Sequence, residues 1–178
     1  MPDTFIPHEK LAAFAAACFE KLGLAPADAQ LVAETLVASN LRGVDSHGVV
    51  RLPHYATRLR NGSIQPRPNI TVQRTGPATA MVEGGAGMGQ LVAARAMREA
   101  IALAQEAGVG AVGARNSSHC GACAHYVEMA AAAGLLGLAF THADPIMVPS
   151  GMQKVFLGSN PIAFGAPGKD GPPVVVDM

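Results

Sequence analysis

The stretch Gly108-Val-Gly-Ala-Val-Gly-Ala-Arg-Asn-Ser-Ser-His-Cys-Gly-Ala-Cys-Ala-His-Tyr-Val-Glu-Met-Ala-Ala-Ala-Ala-Gly-Leu-Leu-Gly-Leu-Ala-Phe-Thr141 decides the fold of this chain. Val109 to Ala114 is small and apolar and reads as a strand. Residues 122–133 read as an alanine-rich helix capped by Gly134, and Leu135 to Thr141 as the next strand. Strand, helix and strand in this order predict an α/β unit with parallel pairing. Between the first strand and the helix stands a polar island, Asn116-Ser-Ser-His119-Cys-Gly121. Open α/β sheets place ligands there, at the carboxyl end of a parallel strand. Three small polar residues before a histidine can fix its tautomer and orientation by hydrogen bonds.

Upstream, residues 90–107 form a strongly periodic helix ended by Gly108, preceded by glycines at 84, 85, 87 and 89. This Gly-rich run between a strand and a helix has the place of a phosphate loop. It does not spell G-x-G-x-x-G, and no acidic residue follows at the end of the 109–114 strand. It reads better as a flexible turn. Alternation in Ile70–Arg74 and Ala78–Val82 around Thr75-Gly-Pro77 predicts a β-hairpin. Helical spacing marks 8–22, 26–39 (with Pro26 in its first turn) and a shorter helix from His47 to Arg60 that stops at Asn61-Gly62. The polar segment 63–69, with Pro66 and Pro68, divides an N-terminal helical part, 1–66, from the first part of an α/β domain, 67–178. Downstream, short strands are expected near Ile162–Gly165 and Val174–Asp177. The last is a β-branched run that reads as a buried strand cut off at its end, as in a fragment of a longer protein.

Composition limits the function. Of 178 residues, 49% are apolar and 15% charged, with 13 basic and 13 acidic residues spread without runs. Such a chain can bury a core and is not built for nucleic acid or an anionic membrane. No apolar stretch approaches about eighteen residues, and residues 1–9 lack the pattern of a signal peptide, so no membrane span is expected. Three cysteines fit a reducing compartment, hence the cytoplasm, better than a disulfide framework.

A second polar island is Leu41-Arg-Gly-Val-Asp-Ser-His-Gly-Val-Val-Arg51. With a helix starting near His47, Ser46 lies near its N-cap and Arg51 one turn further on the same face. A carboxylate could bind between Arg51 and the helix N-terminus, beside His47 as proton donor. The same residues also make a capped helix with a satisfied histidine and a surface arginine. Cys120 and Cys123 have the spacing of a metal or thiol-redox pair, which His119 and His125 could complete, yet no second Cys/His pair exists to finish a zinc site. They read rather as small apolar residues, with a metal or thiol-redox protein as the alternative. Lys154 and Ser159-Asn160 lie in a Gly-rich stretch that could meet a ligand. Asp177 could accept a hydrogen bond from a ribose or nicotinamide, or merely cap the adjoining segment.

Taken in order, Leu41–Tyr55, the turn with Gly87 and Gly89, Asn116–Gly121, Gly134–Gly137, Leu157–Ala163 and Val176–Met178 resemble the malate/L-lactate dehydrogenase family of the second, non-Rossmann type. The resemblance covers essentially the whole chain, and its Asp-Ser-His-Gly and Asn-Ser-x-His segments are specific. It implies a mixed α/β fold peculiar to that family and a homodimer. It also implies an NAD- or NADP-dependent oxidoreductase interconverting small 2-hydroxy and 2-oxo acids. On its pattern His119 is the proton donor and acceptor, His47 the histidine given that role in some members, and Ser46 and Arg51 belong to the substrate site. Asp144, Ser159, Asn160 and Pro161 would neighbour the cofactor, and Asp177-Met178 would begin a cofactor-binding segment. Cys120 stands where an aromatic residue is common, His142 where asparagine is expected, and Gly151-Met152 where paired glycines occur. Chains of that family are longer, roughly double.

Overall fold

The computed structural model describes residues 5–178. It has five α-helices, α1 (His8–Lys21), α2 (Pro26–Leu41), α3 (Leu52–Arg60), α4 (Gly89–Ala107) and α5 (Ala124–Ala132). Its six strands are β1 (Thr71–Gly76), β2 (Thr79–Gly87), β3 (Ala111–Ser117), β4 (Gly137–Phe140), β5 (Ile162–Ala166) and β6 (Val174–Asp177). The first three strands form one sheet, and the last three form another.

The hairpin of β1 and β2 is present and antiparallel, with Val72 opposite Val82. β2, α4 and β3 form the parallel unit, with Val82 opposite Ala114. The expected parallel partner of the 109–114 strand is therefore wrong. β4 does not join β3 across α5; it pairs antiparallel with β5 in the second sheet. The reason lies in the 142–161 connection, which returns the chain beside β4 and leaves β5 as its hydrogen-bonded neighbour. The Gly-rich run is also not a loose turn. Gly84 to Gly87 continue β2, and α4 opens at Gly89. A Cβ on Gly89 would strike the carbonyl oxygens of Ser118 and His119, so glycine here lets the His119 loop lie directly on the start of α4.

One core joins the helical part to α4. Phe19, Val32, Leu36, Tyr55, Leu59 and Ile64 pack with Met88 and Leu91 across the 66/67 boundary. A second, smaller core holds Cys123 and Val127 of α5 against Ala163 of β5. The inner face of the β4–β6 sheet lies on α5, close enough that a Cβ at Gly137 or Gly165 would collide with Val127. Its outer face carries Leu138, Phe140, Ile162, Phe164, Val174 and Val176, all exposed. The run 174–177 is thus a strand, but an edge strand with an open apolar face rather than a buried one. Among the described residues no helix is long and apolar enough to cross a membrane.

Candidate active site

The Asp-Ser-His-Gly segment is not the start of a helix. Asp45–His47 and Val49–Arg51 are two short 3-10 turns, broken at Gly48, whose backbone is extended. The helix proper starts at Leu52, so Arg51 is its N-cap and His47 lies outside it. Sequence reasoning missed what pins this loop, the side chain of Asn40 at the end of α2. Its Oδ1 accepts Val49 N–H at 2.9 Å, and its Nδ2 donates to Asp45 Oδ1. A Cβ at Gly48 would overlap that amide, which is why the segment ends in glycine.

Within the loop, Ser46 Oγ lies 3.0 Å from His47 Nδ1, and Arg51 Nε donates to the Ser46 carbonyl at 2.6 Å. Among the described residues the other guanidinium nitrogens of Arg51 meet no acceptor, so they are free for a carboxylate. The helix N-terminus beside Arg51 is therefore that of α3, which starts at Leu52, with His47 in the loop before it.

The two polar islands, 72 residues apart by number (119 − 47), meet in space: the His47 and His119 rings are 5.5 Å apart at 31°. Preceding polar residues do not fix His119. Ser118 Oγ accepts Gly89 N–H, Ser117 Oγ turns to the Ser118 carbonyl, and Asn116 takes a left-handed backbone beside Glu83. His119 Nδ1 instead sits 2.7 Å from Tyr55 Oη, and Tyr55 Oη accepts from Gln90 Nε2 at 2.9 Å. Tyr55 lies four residues beyond Arg51 on α3. Gln90 is the polar side chain in the apolar stripe opening α4, and that misfit in the pattern was the available signal.

Burial lowers His119 to about 4, helped by His47, Arg51, His54 and Arg58 nearby. The residue keeps a solvent-exposed side, so water weakens the effect without reversing it. Its imidazole is neutral at neutral pH. His47 is also lowered, by burial and then Arg51, with Asp177 acting in the opposite sense. Tyr55 is pushed up to about 12, chiefly by burial, and keeps its hydrogen. Two neutral histidines beside an arginine can take or give a proton at a substrate oxygen while the substrate carboxylate is held.

The remaining predicted residues gather at one end of the second sheet. Asp144 follows β4, Ser159-Asn160-Pro161 precede β5, and Asp177-Met178 end β6. Asn160 Oδ1 accepts Ala143 N–H at 3.0 Å, and the Ile162 and Met178 backbones exchange hydrogen bonds of 2.9 and 3.1 Å. Asp177 Oδ2 accepts Ala124 N–H at 2.7 Å. It caps α5 and ties this sheet end to the loop carrying His119. Exposed carboxylate, hydroxyl and amide groups of this set suit a ribose or a carboxamide. No cation stands among them, so they do not fit a pyrophosphate. Nor does the Gly-rich run, where the closest approaches at Gly84 and Gly89 are already taken by the protein's own backbone.

Cys120 and Cys123 lie beside one another. The Cys120 thiol donates to the Gly121 carbonyl, and the interaction between the two thiols lowers Cys120 and raises Cys123. Cys123 is core, packed with Val127, and Tyr126 Oη holds the Cys120 carbonyl. His125 stands edge-on to Tyr126 on α5. Among the described residues no group of three or more His, Cys, Asp or Glu side chains is arranged to hold a metal.

Comparison with known proteins identifies the family and the fold. The malate dehydrogenase of Pyrococcus horikoshii is 42% identical over 173 residues, covering 97% of this chain and 48% of that protein. Its solved structure superposes with a TM-score of 0.95, covering 98% of this chain and 50% of the other. The L-sulfolactate dehydrogenase of Methanocaldococcus jannaschii is 40% identical over 84% of this chain and 43% of its own length. The ureidoglycolate dehydrogenase (NAD(+)) of Escherichia coli O157:H7 is 39% identical over 88% of this chain and 45% of its own length. The chain thus spans about half the length of these curated relatives. The malate/L-lactate dehydrogenase family model matches residues 6–178, and the chain belongs to that family.

Proposed function

We propose that the full-length protein is a dehydrogenase that interconverts a small 2-hydroxy acid and its 2-oxo acid, with NAD or NADP as cofactor. The observation that carries this reading is the meeting of His119 and His47 beside Arg51. It is supported by relatives named malate, L-sulfolactate and ureidoglycolate dehydrogenase, the last with NAD(+) in its name.

In this mechanism Arg51 binds the substrate carboxylate through the guanidinium nitrogens that Ser46 leaves free. Ser46 orients His47 through its hydroxyl, 3.0 Å from Nδ1. His119 exchanges the proton. In oxidation its neutral ring takes the hydroxyl proton as the carbon–hydrogen bond breaks; in reduction the protonated ring returns it to the carbonyl oxygen. The bound nicotinamide supplies or accepts the hydride. Asp144, Ser159, Asn160, Pro161, Asp177 and Met178 would hold the nicotinamide and its ribose, at the sheet end that Asp177 ties to the His119 loop. We further take the protein to work as a homodimer in the cytoplasm. Three free cysteines fit a reducing compartment.

Absorbance assays of NADH and NADPH oxidation by the full-length protein, against a panel of 2-oxo acids, test the reading. Turnover of at least one acid is expected. Silence across a broad panel from folded protein would refute it.

A further inference from the structure

Three polar side chains are buried among the described residues, Thr35, Ser39 and Gln90. Thr35 and Ser39 satisfy themselves on helix carbonyls one turn back. Gln90, wholly buried, does not. Its Nε2 donates to Tyr55 Oη, and its Oε1 has no partner among the described residues. An unpaired buried amide oxygen works against folding, and methionine would fill the same space without it. What the amide touches gives it a purpose.

We propose that Gln90 is a positioning residue that, through Tyr55, sets which ring nitrogen of His119 carries the proton. The proposal rests on the reading of His119 as the proton-transfer group. A phenol has one hydrogen to give. With the Gln90 N–H directed at Tyr55 Oη, the tyrosine hydrogen is left for the other neighbour, His119 Nδ1, at 2.7 Å. Nδ1 must then accept, and the neutral ring carries its hydrogen on Nε2. Turning the amide over reverses every bond. Tyr55 would then donate to Oε1 and accept from Nδ1–H, baring the Nε2 lone pair, and this is the form of the ring that takes the hydroxyl proton in oxidation. The unpaired Oε1 is what makes that second arrangement available. The other charged or titratable groups near His119 are His47, Arg51, His54 and Arg58 on the 45–60 segment and the Cys120 thiol beside it, with Asp177 facing His47 from β6. Among the described residues none of them hydrogen-bonds Nδ1.

The test is a 15N NMR titration of histidine-labelled full-length protein, in wild type, Gln90→Glu and Gln90→Met, each also with Tyr55→Phe. Wild-type His119 is expected to show a hydrogen-bonded, unprotonated Nδ1 and a protonated Nε2. In Gln90→Glu the carboxylate takes the tyrosine hydrogen, so the proton should move to Nδ1 and proton affinity should rise at least tenfold. Gln90→Met, which neither donates nor accepts, should leave a mixture of tautomers and keeps the test open if the Glu variant does not fold. With Tyr55→Phe, changes at position 90 should no longer reach His119. A wild-type His119 tautomer in the position-90 variants would overturn the proposal, as would equal shifts with and without Tyr55. The signal comes from the ring and not from turnover, so its failure leaves the dehydrogenase reading to be judged by the assay above.

Discussion

His119 shows how far residue types go and where they stop. Its place among small polar residues at a strand end could be read, but its hydrogen-bond partner is Tyr55, 64 positions away in sequence. That contact exists because α3 and the β3–α5 loop both pack onto the start of α4, a tertiary fact no local pattern carries. His47, Ser46 and Arg51 were legible as a set, whereas Asn40, which holds them, was not. At this scale pH is the natural probe. An unperturbed histidine would lose its base form as pH falls through about 6.5. Because His119 is lowered to about 4, its base form persists to lower pH. The kcat/KM for hydroxy-acid oxidation should hold as pH falls from 7 to 5 and drop only as pH approaches 4, with circular dichroism confirming the fold at each point. A drop centred near 6.5 would show that the ring is not shielded as described.

Among the elements, hairpin, helices and late strands were visible from period and punctuation, each within a few residues. Parallel pairing across α5 was not, because pairing depends on where the 142–161 connection returns, and loops carry little periodic signal. The 47–60 helix starts late for a local reason: Asn40 clamps Asp45 and Val49 into 3-10 turns. Asn40→Ala should therefore cost about 1–2 kcal/mol for two lost hydrogen bonds, read as a lower denaturation midpoint. It should also loosen Arg51 and raise KM for the acid more than it lowers kcat. A KM that stays put would mean the loop is held by something else.

At the scale of the whole molecule, one sheet face has no cover among the described residues. Leu138, Phe164 and Val176 form one row across the three strands, and Phe140 and Ile162 begin the next, all exposed. Contiguous apolar surface of this kind is a binding face or an aggregation hazard. The 178-residue chain should bind the apolar dye ANS. Leu138→Lys with Phe164→Lys should weaken that fluorescence while leaving the melting temperature nearly unchanged, since neither side chain is in a core. A large fall in melting temperature would instead mean that these residues are packed. Composition showed only that the chain can bury a core; the register shows these apolar residues aligned on one face.

The central claim is that His119 moves the proton, and His119→Asn in the full-length protein tests it most directly. kcat should fall by about 10²–10⁴ for reduction and oxidation alike, with cofactor dissociation constants close to wild type. Unchanged turnover would contradict the account and transfer the role to His47.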